Sequence, residues 1–74
     1  MPDDPELLYW PASFTKRLQI VEQLVRATPE GVTAAEIATC FHNVTTAEIE
    51  ATLLLLTGIY LIRRAGTLYI ANLN

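Results

Sequence analysis

Apolar residues recur at helical spacing from Phe14 through Leu18 and Val21 to Val25, with Thr15, Gln19, Glu22, Gln23 and Arg26 opposite them. The pattern predicts an amphipathic helix over residues 13–27 with one core stripe, widened on one side by Ile20 and Leu24. Thr28-Pro29-Glu30-Gly31 then punctuates the chain. The phrase Val-Thr-x-Ala-Glu-Ile follows twice, at residues 32–37 and 44–49. Each copy contains Thr-x-x-Glu ahead of an apolar run, the pattern of a capping box. In that device the Thr hydroxyl accepts from the backbone N–H three residues on, and the Glu reaches back to the N–H of the Thr. Two helix starts so close together predict a short helix from Thr33 to about Phe41, with Ile37 and Phe41 as its core pair. A turn at His42-Asn43 and a third helix from Thr45 to Thr57-Gly58 follow. Ile49, Leu53 and Leu56 share one face of that third helix.

Two β-rich runs come next, at residues 60–64 and 67–71, joined by Ala65-Gly66, and they predict a hairpin. Pairing across that turn groups Leu61, Leu68 and Ile70 on one face and Tyr60, Ile62 and Tyr69 on the other. Both faces are apolar, so something must cover the second. At the other end, residues 1–12 form an arm. Pro2, Pro5 and Pro11 forbid a continuous helix there, yet Leu7, Leu8, Tyr9 and Trp10 are adjacent and apolar. An arm of that character is expected to dock on the domain, residues 13–74, or on a partner, which makes Tyr9 and Trp10 candidate contact residues. The fold class expected is α+β, mainly α: a three-helix helix-turn-helix core followed by a two-stranded β-hairpin.

Composition sharpens this reading. Hydrophobic residues make up 51% of only 74 positions, which suggests apolar surface left over once a small core is filled. The net charge of −3 opposes binding to polyanions as the main function. Cys40 is the one cysteine, so there is no internal disulfide and no Cys-based zinc site; inside the short helix it is expected to behave as a small buried hydrophobe. His42, at a helix C-terminus, is expected to serve the helix dipole. No nucleophile–base pair, clustered carboxylates or phosphate-cradling glycine loop is present, so neither catalysis, a cofactor nor a small-molecule substrate is expected. The start of the chain is acidic and Pro-interrupted, unlike a secretory signal. Its longest apolar run, residues 53–56, is too short to span a bilayer, so a cytoplasmic protein without membrane contact is expected.

The order helix, helix, turn, helix, hairpin over residues 13–71 resembles the winged helix-turn-helix superfamily. Ile49, Leu53, Leu56, Leu61 and Ile62 fit its usual apolar pattern, while Tyr60 stands where that family often has Gly. The resemblance implies a role in transcription regulation, with the third helix entering the major groove and the wing contacting the DNA backbone. Projected at about 100° per residue, the third helix would offer a groove Ala47, Glu50, Ala51 and Leu54, with Leu55 at the edge. Arg, Lys, Asn and Gln make most bidentate base contacts, and that face has none. Glu50 is suited only to a cytosine amino group, and Ala51 to a thymine methyl. Basic residues lie elsewhere: Lys16, Arg17, Arg26, and Arg63-Arg64 in the hairpin. Two binding readings follow. In the first, the module works mainly through protein contacts, by self-association as a homodimer or by docking on transcription machinery, using Ala47, Glu50, Ala51, Leu54, Leu55, Tyr9 and Trp10. The alternative is a DNA-binding regulator that contacts DNA weakly through Arg63, Arg64, Lys16 and Arg17.

Overall fold

The computed structural model describes residues 7–72; Pro2, Pro5 and the acidic start of the arm lie outside them. It is an α+β fold of three helices and two small two-stranded sheets. In chain order these are β1 (Leu8–Tyr9), α1 (Phe14–Arg26), α2 (Ala34–Ala38), β2 (Phe41–His42), α3 (Thr46–Gly58), β3 (Ile62–Ala65) and β4 (Leu68–Ala71). β1 pairs with β2 in parallel, and β3 with β4 antiparallel. Beyond β4, Val32 and Tyr69 exchange both backbone hydrogen bonds, at 3.1 and 2.8 Å, which ties the segment before α2 to the hairpin.

Both capping boxes form. Thr33 Oγ1 accepts from Glu36 N–H at 3.1 Å, and Glu36 Oε1 accepts from Thr33 N–H at 2.9 Å. Thr45 and Glu48 repeat the exchange, both bonds at 3.1 Å. Ser13 caps α1 through its hydroxyl. The core draws on every helix and on the hairpin: Val21 and Val25 of α1, Ile37 of α2, Ile49, Leu53 and Leu56 of α3, and Ile62 and Tyr69, with Phe41 closing one side. Buried Thr52 turns its hydroxyl onto the Glu48 carbonyl at 3.0 Å, so that hydroxyl is satisfied among these apolar side chains.

Several local expectations are corrected. The short helix ends at Ala38, not near Phe41, because Cys40 N–H closes onto the Ile37 carbonyl at 2.9 Å and the chain leaves as strand β2. Phe41 is therefore a core strand residue, and half-buried Cys40 lies past the helix. His42 is likewise a strand residue and not a helix terminus; its ring stacks on Tyr9 with centroids 4.7 Å apart. Asn43 alone makes the following turn, at φ 53, a conformation Asn tolerates better than most residues.

Phe14 does not join the core. It is the first residue of α1 and remains 56% exposed, since the stripe reaches buried packing only at Val21 and Val25. The hairpin turn is Gly66-Thr67, not Ala65-Gly66, because Ala65 pairs with Leu68. The reason is backbone sign. A two-residue hairpin turn needs positive φ at its first central position, which Gly66 adopts at 65° and Ala65 would adopt only under strain. The shift moves each cross-strand partner by two residues, so Ile62 and Tyr69 still share the core face and Leu68 and Ile70 the other. Tyr60 belongs to neither strand. The Leu68–Ile70 face lies against the backbone of Gly31, where an added Cβ would come within 3.1 Å of Leu68 Cβ and 3.3 Å of Ile70 Cγ1.

Candidate interaction surface

Helix α3 is apolar around nearly its whole circumference, yet it is buried on one side only. Its inner side holds Ile49, Thr52, Leu53 and Leu56. Its outer side presents Ala47, Glu50, Ala51, Leu54 and Leu55, all exposed, with Leu54 at 55% and Leu55 at 47%. A helix of this composition normally lies buried all round. Past the helix, Ile59, 56% exposed, and Tyr60, 82% exposed, follow as further uncovered apolar residues. These two residues escaped sequence reasoning because Tyr60 reads as the start of a strand.

How the helix ends sets the backbone of Tyr60. Its N–H bonds the Thr57 carbonyl and Leu61 N–H bonds the Leu56 carbonyl, both at 3.1 Å. Together these two bonds make a Schellman motif. The motif needs a left-handed residue at the position after the cap, and Tyr60 occupies it at φ 65. Glycine is the usual choice there, since a Cβ in this region costs about 1–2 kcal/mol. The strain is held in place from β4's end, where Asn72 Nδ2 donates to the Tyr60 carbonyl at 3.0 Å. Gly58 stands two residues earlier, inside the last helical turn, with nothing within 4 Å of where its Cβ would be.

A second feature lies at the other end of α3. Thr33, Ala34 and Ala35 at the start of α2, Thr46 and Glu50 of α3, and Arg64, Thr67 and Tyr69 of the hairpin line a cleft of about 200 Å³. Arg64 is held at this cleft: its Nε donates to the Gly66 carbonyl at 2.8 Å, and its guanidinium carbon lies 5.9 Å from the Tyr69 ring centroid. Arg63, exposed, belongs to the opposite face of β3, paired across from Ile70.

The remaining sequence candidates are dispersed. Lys16 is exposed on the first turn of α1. Arg17 is committed to the arm: its Nε donates to the Pro11 carbonyl, and its guanidinium lies 5.3 Å from the centroid of the Trp10 ring. Trp10 is half-buried and meets Phe41 edge-on at 5.1 Å. Tyr9 remains 79% exposed beside it. The structure thus brings Arg64 and Glu50 to one cleft and gathers Ala47, Ala51, Leu54 and Leu55 on one face. Lys16, Arg17, Tyr9 and Trp10 lie elsewhere.

Among the described residues, no three His, Cys, Asp or Glu side chains are grouped to hold a metal ion, and no helix is long and apolar enough to cross a membrane. Compared with family models, curated proteins and solved structures, the chain matches none, so the reading of its function rests on these surfaces.

Proposed function

We propose that this chain is a small winged-helix module, with α2 and α3 as its helix-turn-helix pair and β3–β4 as its wing, that acts in transcription regulation mainly through protein contacts. One observation carries the reading: the outer face of α3, where a groove-reading helix would hold its hydrogen-bonding side chains, presents Ala47, Ala51, Leu54 and Leu55 with Glu50 as its one charge. Such a face offers almost nothing to base edges or phosphates. Its exposed leucines favour a protein surface instead.

A second reading, DNA contact through the wing, draws on Arg64. Its guanidinium has no carboxylate within ion-pairing distance among the described residues, and it stands at the cleft between the hairpin and the first turns of α2 and α3. Glu50 lines the same cleft and opposes a phosphate there.

Titration of labelled random-sequence duplex at low and physiological salt, followed by selection from a random pool, separates the two. The protein-contact reading expects weak binding that salt abolishes and that Arg63→Ala and Arg64→Ala reduce further, with no enriched sequence. A defined motif whose preference relaxes at one position in Glu50→Ala would establish the DNA reader instead.

A further inference from the structure

We infer that the occupant of the outer face of α3 is a second copy of this chain, packed antiparallel about a two-fold axis between Ala51 and Leu54; the inference rests on the protein-contact reading. Ala47, Ala51, Leu54 and Gly58 succeed one another at spacings of four, three and four, the stagger that keeps a seam facing a partner helix. All four are exposed. About a two-fold axis between Ala51 and Leu54, each Ala51 lies across from the other copy's Leu54, and each Ala47 across from the other copy's Gly58. Large side chains meet small ones in the middle, and the ends are small enough for the backbones to approach closely.

The flanks of the seam favour the antiparallel direction. Leu55 and Ile59 lie on one side of it, together with Glu48, which is tied back to Thr45. Glu50 and Thr57 lie on the other. Antiparallel packing sets each flank against its own counterpart, so Glu50 lies across from the other copy's Thr57, and Leu55 across from the other copy's Glu48, whose carboxylate stays on its own Thr45. Parallel packing would place Glu50 against Leu55. The exposed parts of Leu54, Leu55, Ile59 and Tyr60 amount to roughly 400 Å² per copy at the usual areas of such side chains. A standard interface buries about 800 Å² per partner, a little over half of it apolar. The patch therefore supplies the apolar share of one such interface.

The helix end adds an independent sign. Gly58 sits inside the last turn, where almost any other residue would favour the helix. Tyr60 sits in the left-handed position that glycine fills without strain. Both choices run against the local preference of the backbone, and both serve the seam: Gly58 clears room for Ala47 of the other copy, and Tyr60 extends the apolar patch. Local strain of this kind persists where function retains it.

Sedimentation equilibrium over a concentration series tests the inference. A two-fold dimer gives twice the 8.2 kDa of one chain, and salt strengthens it, because each copy carries a net charge of −3 and added ions screen that repulsion. Leu54→Glu should weaken association at least about tenfold while helical circular dichroism is retained. Gly58→Lys guards against a folding artefact: it adds helix propensity in open space, so it should raise the unfolding midpoint while weakening the dimer. Direction is read by disulfide trapping in a Cys40→Ala background. Ala47→Cys chains mixed with Gly58→Cys chains should cross-link to each other far faster than either cross-links to itself. A monomer at every concentration, a dimer indifferent to both variants, or trapping of like with like would overturn the proposal. None of those results would touch the protein-contact reading, which fails instead on the selected DNA motif and its loss in Glu50→Ala.

Discussion

Replacing Tyr60 by Gly should stabilise this fold. The perturbation is confined to a residue 82% exposed, so the ring contributes little burial that could be lost. Its backbone is the issue. At φ 65 the Cβ crowds the following carbonyl, at a cost of about 1–2 kcal/mol. Glycine removes that strain but gives up about 0.5–1 kcal/mol of chain entropy. The balance favours Tyr60→Gly by about 0.5–1 kcal/mol, or several degrees in Tm for a domain of this size. Tyr60→Ala is the necessary control, since it deletes the ring and keeps the Cβ. Thermal unfolding followed by circular dichroism, with all three proteins at one dilute concentration so that association does not contribute, should rank Gly above both Ala and Tyr, which should lie close together. If Gly unfolds at or below the temperature of Ala, the left-handed cap is not a source of strain and the argument built on it fails.

Other residues carry equally direct expectations. Thr33→Ala and Thr45→Ala each remove the acceptor half of a capping box and should lower stability by about 0.5–2 kcal/mol in urea titrations; unchanged midpoints in both would dissolve the two-box account of α2 and α3. Gly31→Ala should cost about 1–3 kcal/mol, because φ there is 105° and the new methyl would press on Leu68 at 3.1 Å; a neutral result would mean that the loop yields easily. Trp10 is the chain's one tryptophan, so its fluorescence reports on the arm. Arg17→Ala should shift that emission to the red as the Trp10 ring loses its cationic cover; an unmoved spectrum would show that Phe41 alone holds the ring.

The parts of the fold legible in the sequence are those whose causes are local. A Thr and a Glu three residues apart carry their own hydrogen-bond geometry, so both boxes and the start of α3 can be placed without knowing what surrounds them. The inner face of α3 follows from a period, and Ile49, Leu53 and Leu56 lie on it as the period requires. Contacts between distant segments left no such trace. The bridge of Leu8 and Tyr9 to Phe41 and His42 is only two residues long, too short for alternation to show. The spacing of Phe41 from Ile37 is helical, although the chain has left the helix by then. The hairpin turn was ambiguous because one glycine, Gly66, can end one two-residue loop or begin another; only the sign of φ at the first position selects between them. Of the candidate surface, Ala47, Ala51, Leu54 and Leu55 were readable as a face. Ile59 and Tyr60 were not, because membership in the patch depends on how the helix terminates.

That termination bears most directly on what the face is for. A sequence selected only to end α3 well would place a helix-favouring residue at 58 and glycine at 60, and this chain has the reverse order. Each choice alone costs on the order of 1 kcal/mol, a substantial fraction of the stability a domain of this size can hold. Two such costs within three residues, both at the rim of the one exposed apolar face on α3, are hard to reconcile with selection for the monomer fold alone. A contact that needs a flat, small-residue helix end and an aromatic side chain beside it accounts for both. Stability and association should therefore move in opposite directions at these two positions. Gly58→Lys and Tyr60→Gly should each give a firmer monomer and a weaker dimer, whereas a purely structural role would move only the first quantity.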